Sequence, residues 1–169
     1  MRTKPLILVV DDEKSLVLIA ERVLQKEGFD VITAMNGNDG LKQATENMPD
    51  VIVLDIVMPG MDGYEVCRKL QANPDTCNIP VIFLSIKGVV DENKSAAAEG
   101  LKEISDAFEY GASDFLNKPV TARDLIESIK KALSFHNILR LLITMPVPVN
   151  FVVASSRLRY AWFPSSFFP

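Results

Sequence analysis

Cysteine is scarce in this chain: Cys67 and Cys77 are the only two in 169 residues, and they do not form a Cys-x-x-Cys pair. That is too few for a disulfide framework, so the expectation is two reduced thiols in a cytosolic protein. Basic charge is also short. Net charge is -4 and the isoelectric point about 5.1, a balance that argues against general nucleic-acid binding. Arg2 and Lys4 lead into a strand-like run and then Asp11, with no signal-peptide cleavage pattern. No membrane span is expected, because residues 138–154 are few and are interrupted by Arg140, Pro146, Pro148 and Asn150. Internal repeats, low-complexity tracts and the turn signals of β-hairpins are absent. His136 is the only histidine, expected at a surface or helix-terminal position.

What remains is a chain long enough for one domain with a real core. Its dominant feature is a set of apolar runs, most of which end in a chemically active side chain. Leu6-Ile7-Leu8-Val9-Val10 precedes Asp11 and Asp12, Val51-Ile52-Val53-Leu54 precedes Asp55, and Val81-Ile82-Phe83-Leu84 precedes Ser85. Phe115-Leu116-Asn117 precedes Lys118, which Pro119 follows. Short apolar runs bounded by turn residues and separated by helical patterns predict buried parallel strands. They are expected over 5–10, 29–34, 51–54, 81–84 and 114–116.

Between them lie helical patterns. Leu16, Ile19, Ala20, Val23 and Leu24 fall at helical spacing over 14–26, and Gly28 ends that helix. Asn36 can cap a second helix through Leu41 and Ala44 that ends near Met48-Pro49. The turn-rich stretch Met58-Pro59-Gly60-Met61-Asp62-Gly63 leads into a third helix over 64–71, with Asp62 and Gly63 shaping the turn. Ala97, Leu101, Ile104 and Phe108 make a further stripe in 86–110, with Gly100 inside it. Thr121-Ala122-Arg123-Asp124 reads as a capping box for a last helix buried through Leu125, Ile129, Ala132 and Leu133. Alternating β and α without hairpins predicts an α/β domain, a parallel sheet covered on both faces.

Composition changes near Phe135. Residues 135–169 carry Arg140, Arg157 and Arg159 as their only charges, hold Pro146, Pro148, Pro164 and Pro169, and end in an aromatic cluster that includes Trp162. The expected organisation is one domain over 1–134 and a C-terminal extension of unknown role over 135–169.

In an open α/β sheet the carboxyl ends of the strands converge on one crevice. The spacing therefore predicts three carboxylates, a hydroxyl and an ammonium at one sheet edge. Carboxylates at close quarters repel, and burial sharpens the repulsion. A hard divalent cation with oxygen ligands is the natural neutraliser. Each piece also has a plainer reading. Asp11 and Asp12 could cap the first helix, Ser85 could be a turn residue, and Phe115 could be ordinary core.

Taken together, and in this order, the pieces resemble the receiver domain of two-component response regulators. The matching segments are Val9-Val10-Asp11-Asp12-Glu13, the stretch from Leu54-Asp55 to Asp62-Gly63, Phe83-Leu84-Ser85, Gly111-Ala112-Ser113-Asp114-Phe115 and Asn117-Lys118-Pro119. The resemblance covers residues 4–134. It implies a flavodoxin-like, CheY-like five-stranded parallel sheet of order 2-1-3-4-5, with the apolar extension appended. It implies Asp55 as phosphoacceptor, and Mg²⁺ held by Asp12, Asp55 and the backbone carbonyl of Val57, with Asp11 acting mostly through water. Ser85 and Lys118 would each meet a phosphoryl oxygen, Phe115 and Ser85 would report the switch, and the Lys118-Pro119 bond would be cis. Phosphoryl transfer demands positioning and charge stabilisation more than covalent work, and such a set supplies both.

The expected function is a cytoplasmic, single-domain, non-enzymatic regulator. It would take its phosphoryl group from a histidine kinase or phosphotransfer protein and pass the signal to a downstream protein target. Added charge at Asp55 would bias a two-state surface beside the 86–110 segment, the fifth strand and the last helix. Direct DNA binding is not expected, because the residues after 134 are too few for an output domain and include no basic helix. A homodimer stays open.

Two other functions compete with this one. The first is a phosphorylation-independent interaction module that keeps only the receiver shape. The second is a Mg²⁺-dependent phosphohydrolase, but Val57 stands where haloacid dehalogenase-like phosphatases place a second acidic residue. Two departures from the receiver pattern stand out. Ile86 follows Ser85 where a small residue is usual, which should slow phosphodonor entry or loss of phosphate. The interval from Ser85 to Lys118 is about eleven residues longer than usual, a whole number of helical turns or a loop insertion.

Overall fold

A computed structural model describes residues 2–86 and 112–144, with side chains at 2–85 and 112–134. The helical stripe at 97–108, the lengthened interval, the side chain of Ile86 and the tail from Met145 lie outside the described residues. Among the described residues nine elements follow in order. They are β1 (Leu6–Val10), α1 (Lys14–Lys26), β2 (Asp30–Ala34), α2 (Gly37–Asn47), β3 (Val51–Asp55), α3 (Gly63–Ala72), β4 (Val81–Ile86), β5 (Asp114–Lys118) and α4 (Ala122–Thr144).

The five strands form one sheet of order β2-β1-β3-β4-β5, and every neighbouring pair is parallel. This is the flavodoxin-like arrangement expected from the alternation of elements. The central strands β1 and β3 are buried along their whole length, as helices on both faces of a parallel sheet require. The edge strands β2 and β5 are only partly buried.

Side chains alternate across each strand, so the sheet divides the core in two. Leu8, Val10, Ile52, Leu54, Val81 and Phe83 face α2 and α3, packing on Ala44, Val66, Cys67 and Leu70. Ile7, Val9, Val51, Val53, Ile82 and Leu84 face α1 and α4, packing on Leu24, Leu125, Ile129 and Ala132. Phe83 is fully buried and its ring lies 5.3 Å from that of Tyr64 at a tilt of 57°. Such burial of an aromatic is worth about 2–3 kcal/mol.

The caps match their sequence signals. Asn36 accepts from the Asp39 N–H at 2.9 Å at the start of α2, and Asp62 accepts from the Glu65 N–H at 2.7 Å at the start of α3. Thr121 accepts from the Asp124 N–H at 3.1 Å and donates its hydroxyl to Asp124 Oδ2 at 2.8 Å. α1 differs from the capping alternative for Asp11 and Asp12. Its N-cap is Glu13, with no side-chain cap. α4 runs without a break past 134/135 to Thr144, so the change of composition near Phe135 does not coincide with the end of that helix.

Candidate functional site

The site begins with strand ends. β1 and β3 pair so that Val10 lies beside Leu54, and each chain then continues into an aspartate, Asp11 and Asp55. β4 pairs with β5 so that Ser85 lies beside Asn117, with Lys118 next along β5. Sheet register alone brings residues more than a hundred positions apart to the same edge. Asp11 and Asp55 are 1 % exposed and Ser85 is 4 % exposed, whereas Asp12 is exposed.

Asp11, Asp12 and Asp55 each offer an oxygen within 4.8 Å of the others. Lys118 crosses from β5 to meet two of them. Its Nζ lies 2.7 Å from Asp11 Oδ2, in an aligned hydrogen bond, and 2.8 Å from Asp55 Oδ1. The second contact is an ion pair outside hydrogen-bond alignment, so Asp55 Oδ1 is a buried carboxylate oxygen with a charge beside it but no aligned donor. Asp11 Oδ1 accepts the Glu13 N–H at 2.8 Å, which fixes that carboxylate from its other side.

Burial pushes the Asp55 carboxyl above the ordinary carboxylate range. Lys118 pulls it back, and Asp11 and Asp12 push it further up. For Lys118 the balance goes the other way in origin but not in sign. Burial lowers the ammonium, and the two carboxylates more than offset that, so its pKa is raised. The pair is therefore unequal: burial costs Asp55 more than one ammonium returns.

Three hard oxygen donors at this spacing, one of them without an aligned partner, suit a hard divalent cation. Val57 lies two residues beyond Asp55 in the β3–α3 turn with its side chain 59 % exposed. Phe115 is partly buried, packs on the α2–α3 side of the core and lies beside Phe83 in register. The Lys118-Pro119 peptide bond is cis.

Two further residues shape the site, Gly63, which the sequence marks only as a turn former, and Ser128, which it does not mark. Gly63 donates its N–H to Ile56 O at 2.9 Å, and an added Cβ there would stand 2.4 Å from Asp55 O. The glycine holds the α3 start against the end of β3, a close approach that only a residue without Cβ allows. Ser128 on α4 is buried and donates to Asp114 Oδ2 at 2.7 Å, tying α4 to the strand that bears Phe115 and Lys118. Serine on a helix gives no sequence sign of such a bond.

A doubly wound sheet of this order with an acidic pocket at its carboxyl edge is a CheY-like receiver fold. Residues 7–130 match the response regulator receiver domain family, and the chain belongs to that family. It is similar to the response regulator PleD of Caulobacter vibrioides, at 43 % identity over 114 residues. The aligned part is 68 % of this chain and 23 % of that protein, so the chain spans about a quarter of this relative's length.

Solved structures agree. A response regulator receiver domain protein from Clostridium thermocellum is 33 % identical, with 80 % of this chain and 98 % of that one covered and a TM-score of 0.64. The chemotaxis protein CheY4 of Vibrio cholerae is 25 % identical, with 78 % and 100 % covered and a TM-score of 0.66. Receiver domains belong to two-component signalling, and as a family they bind Mg²⁺ at an acidic pocket and are phosphorylated on aspartate. Among the described residues no helix is long and apolar enough to cross a membrane.

Proposed function

We propose that this chain is a phosphorylation-driven switch whose acceptor is Asp55. It receives a phosphoryl group from a histidine kinase or phosphotransfer protein and then changes its contacts with a downstream protein. The observation that carries the reading is the position of Asp55. It is buried at the end of β3, within 4.8 Å of two other carboxylates and 2.8 Å from the Lys118 ammonium. Two buried carboxylates beside a third, exposed one, with one ammonium among them, are costly to keep unless charge is to be exchanged there.

In the transfer, an Asp55 carboxylate oxygen forms a bond to phosphorus while the phosphorus–nitrogen bond of the donor imidazole breaks. The electron pair of that bond leaves with the imidazole. Lys118 meets one phosphoryl oxygen as a fixed positive charge, and the Ser85 hydroxyl donates to another. Asp12, Asp55 and the Val57 carbonyl would hold Mg²⁺, with Asp11 acting through water, and the ion would supply neutralisation of the phosphoryl charge. The product carries about -1.5 to -2 charges at one buried point. Ser85 on β4 and Phe115 on β5 lie on paired strands, so movement of one is felt by the other. In this reading the protein is a switch rather than an enzyme, working in the cytoplasm.

Intact-mass measurement after incubation with acetyl phosphate and Mg²⁺ tests the reading. One added phosphoryl group is expected, lost in Asp55→Ala and lost when the metal is chelated. A phosphoryl group that persists in Asp55→Ala would sink it.

A further inference from the structure

Three aromatic side chains follow one another across the α2–α3 face of the sheet. Phe115 on β5 stands beside Phe83 on β4 in register, about 5 Å away at the ordinary strand spacing, and both belong to the same side of the core. The Phe83 ring in turn lies 5.3 Å from that of Tyr64, tilted by 57°, a geometry that aromatic pairs favour. Phe83 is fully buried, whereas Phe115 and Tyr64 are only partly so. The row therefore runs from an edge strand, through the core, to the first turn of α3.

That turn is held from a second direction as well. Gly63, the chain neighbour of Tyr64, donates its N–H at 2.9 Å to the carbonyl of Ile56, the residue after Asp55. So the start of α3 is fixed by its backbone to the end of β3 and by the Tyr64 ring to the row that begins on β5. A close-packed interior has little room to absorb a displaced ring, so a shift that reaches Phe83 has to be passed on. Tyr64 has room to take it up. It borders an open cavity of about 230 Å³ whose other lining residues are Asp62, Glu65 and Arg68.

We infer that the first turn of α3 is a phosphorylation-sensitive surface of this protein and that Tyr64 is its moving part. Phosphorylation at Asp55 shifts Phe115, Phe83 carries the displacement across β4, and Tyr64 moves toward the cavity. The surface that Tyr64 shares with Asp62, Glu65 and Arg68 changes shape as a result. It lies on the opposite side of the sheet from α4, since Tyr64 packs with the α2–α3 core and α4 with the other. This inference rests on the phosphorylation reading given under the proposed function, and it names a place, away from β5 and α4, where the state of Asp55 is displayed.

The test is ¹³C NMR of the tyrosine rings in the full chain, with acetyl phosphate and Mg²⁺, while intact mass follows phosphate uptake. The chain has three tyrosines, and Tyr64→Phe identifies the Tyr64 signal. That signal is expected to shift as Asp55 is phosphorylated, and the shift to be largely lost in Phe83→Leu although phosphate is still taken up. A second measurement needs no change in the buried core. Coupling between two sites is reciprocal in binding free energy. Tyr64→Leu is therefore expected to change the affinity for beryllium fluoride, a phosphoryl mimic, by about fivefold or more. Arg68→Met, which lines the same cavity outside the aromatic row, is expected to match the parent. A Tyr64 signal unmoved in the phosphorylated parent, or equal mimic affinity in Tyr64→Leu and the parent, would overturn the inference and leave the phosphorylation reading standing. A shift as large in Phe83→Leu would assign the motion to the Gly63 attachment and overturn the aromatic route. A parent chain that takes up no phosphate would overturn both readings.

Discussion

Gly63 shows how a single residue without a side chain shapes this pocket. It sits where α3 starts against the end of β3, and a Cβ there would lie 2.4 Å from Asp55 O and 2.9 Å from Ile56 Cα. Both neighbours are backbone of the strand end that presents Asp55, so neither can step aside cheaply. Gly63→Ala should cost at least ~2 kcal/mol, seen as a lower midpoint of urea unfolding. Gly60 offers the contrast. Nothing lies within 4 Å of its added Cβ, but its φ is +82°, so Gly60→Ala should cost only the backbone penalty of about 1–2 kcal/mol. Equal costs at the two sites would show that the close approach at Gly63 does not bear on stability. Ile19 departs from its helical period. Helical spacing assigns it to the buried stripe of α1, yet it is 59 % exposed, while Val17 is 4 % exposed. Residues 16–20 of α1 are all apolar, so periodicity cannot choose a face there; packing on the sheet does.

Elements gained residues where the ladder overrode local preference. β3, β4 and β5 run on to Asp55, Ile86 and Lys118, beyond the apolar runs at 51–54, 81–84 and 114–116. Aspartate and lysine are poor strand formers, but hydrogen bonds with an already paired neighbour extend each strand by one to two residues. The helix α1, bounded by Glu13 and Gly28, follows its sequence limits closely. Ser128 Oγ donates to Asp114 Oδ2 at 2.7 Å, and Asp114 Oδ1 accepts the Phe115 N–H at 2.9 Å. Ser128→Ala should lower stability by about 1–2 kcal/mol, because a partly buried carboxylate oxygen loses its donor. Phosphate incorporation at Asp55 should keep its stoichiometry. A loss of incorporation in a folded Ser128→Ala protein would mean that the tie positions Lys118 as well as α4.

For the whole molecule, the pocket makes stability depend on pH in a recognisable direction. The folded Asp55 pKa is raised, chiefly by burial. The native state therefore binds more protons than the unfolded chain between the two values, and stability falls as pH rises through the folded value. Lys118 has a raised pKa as well. Its contribution is fully present below the ordinary lysine value and is lost only as pH rises through the folded one. Urea unfolding without metal, compared for the parent and Asp55→Asn, should show the variant gaining on the parent as pH climbs from the ordinary carboxylate range toward neutrality. A parent that gains on the variant over that window would reverse the sign and contradict the burial argument.

The order of strands and helices, and the chemistry at each strand end, follow from the sequence by itself. Apolar runs, caps and turn residues act locally and leave their period in the chain, and the five receiver motifs hold the carboxylates, hydroxyl and ammonium that the strands bring to one sheet edge. Tertiary structure alone decided that Lys118 touches both Asp11 and Asp55, that Gly63 closes on the Asp55 carbonyl, that Ser128 holds Asp114, and which face of α1 is covered. Those contacts join positions far apart in the chain or depend on how one element lies on another. Their distances come from sheet register and packing, which no local pattern of residues records.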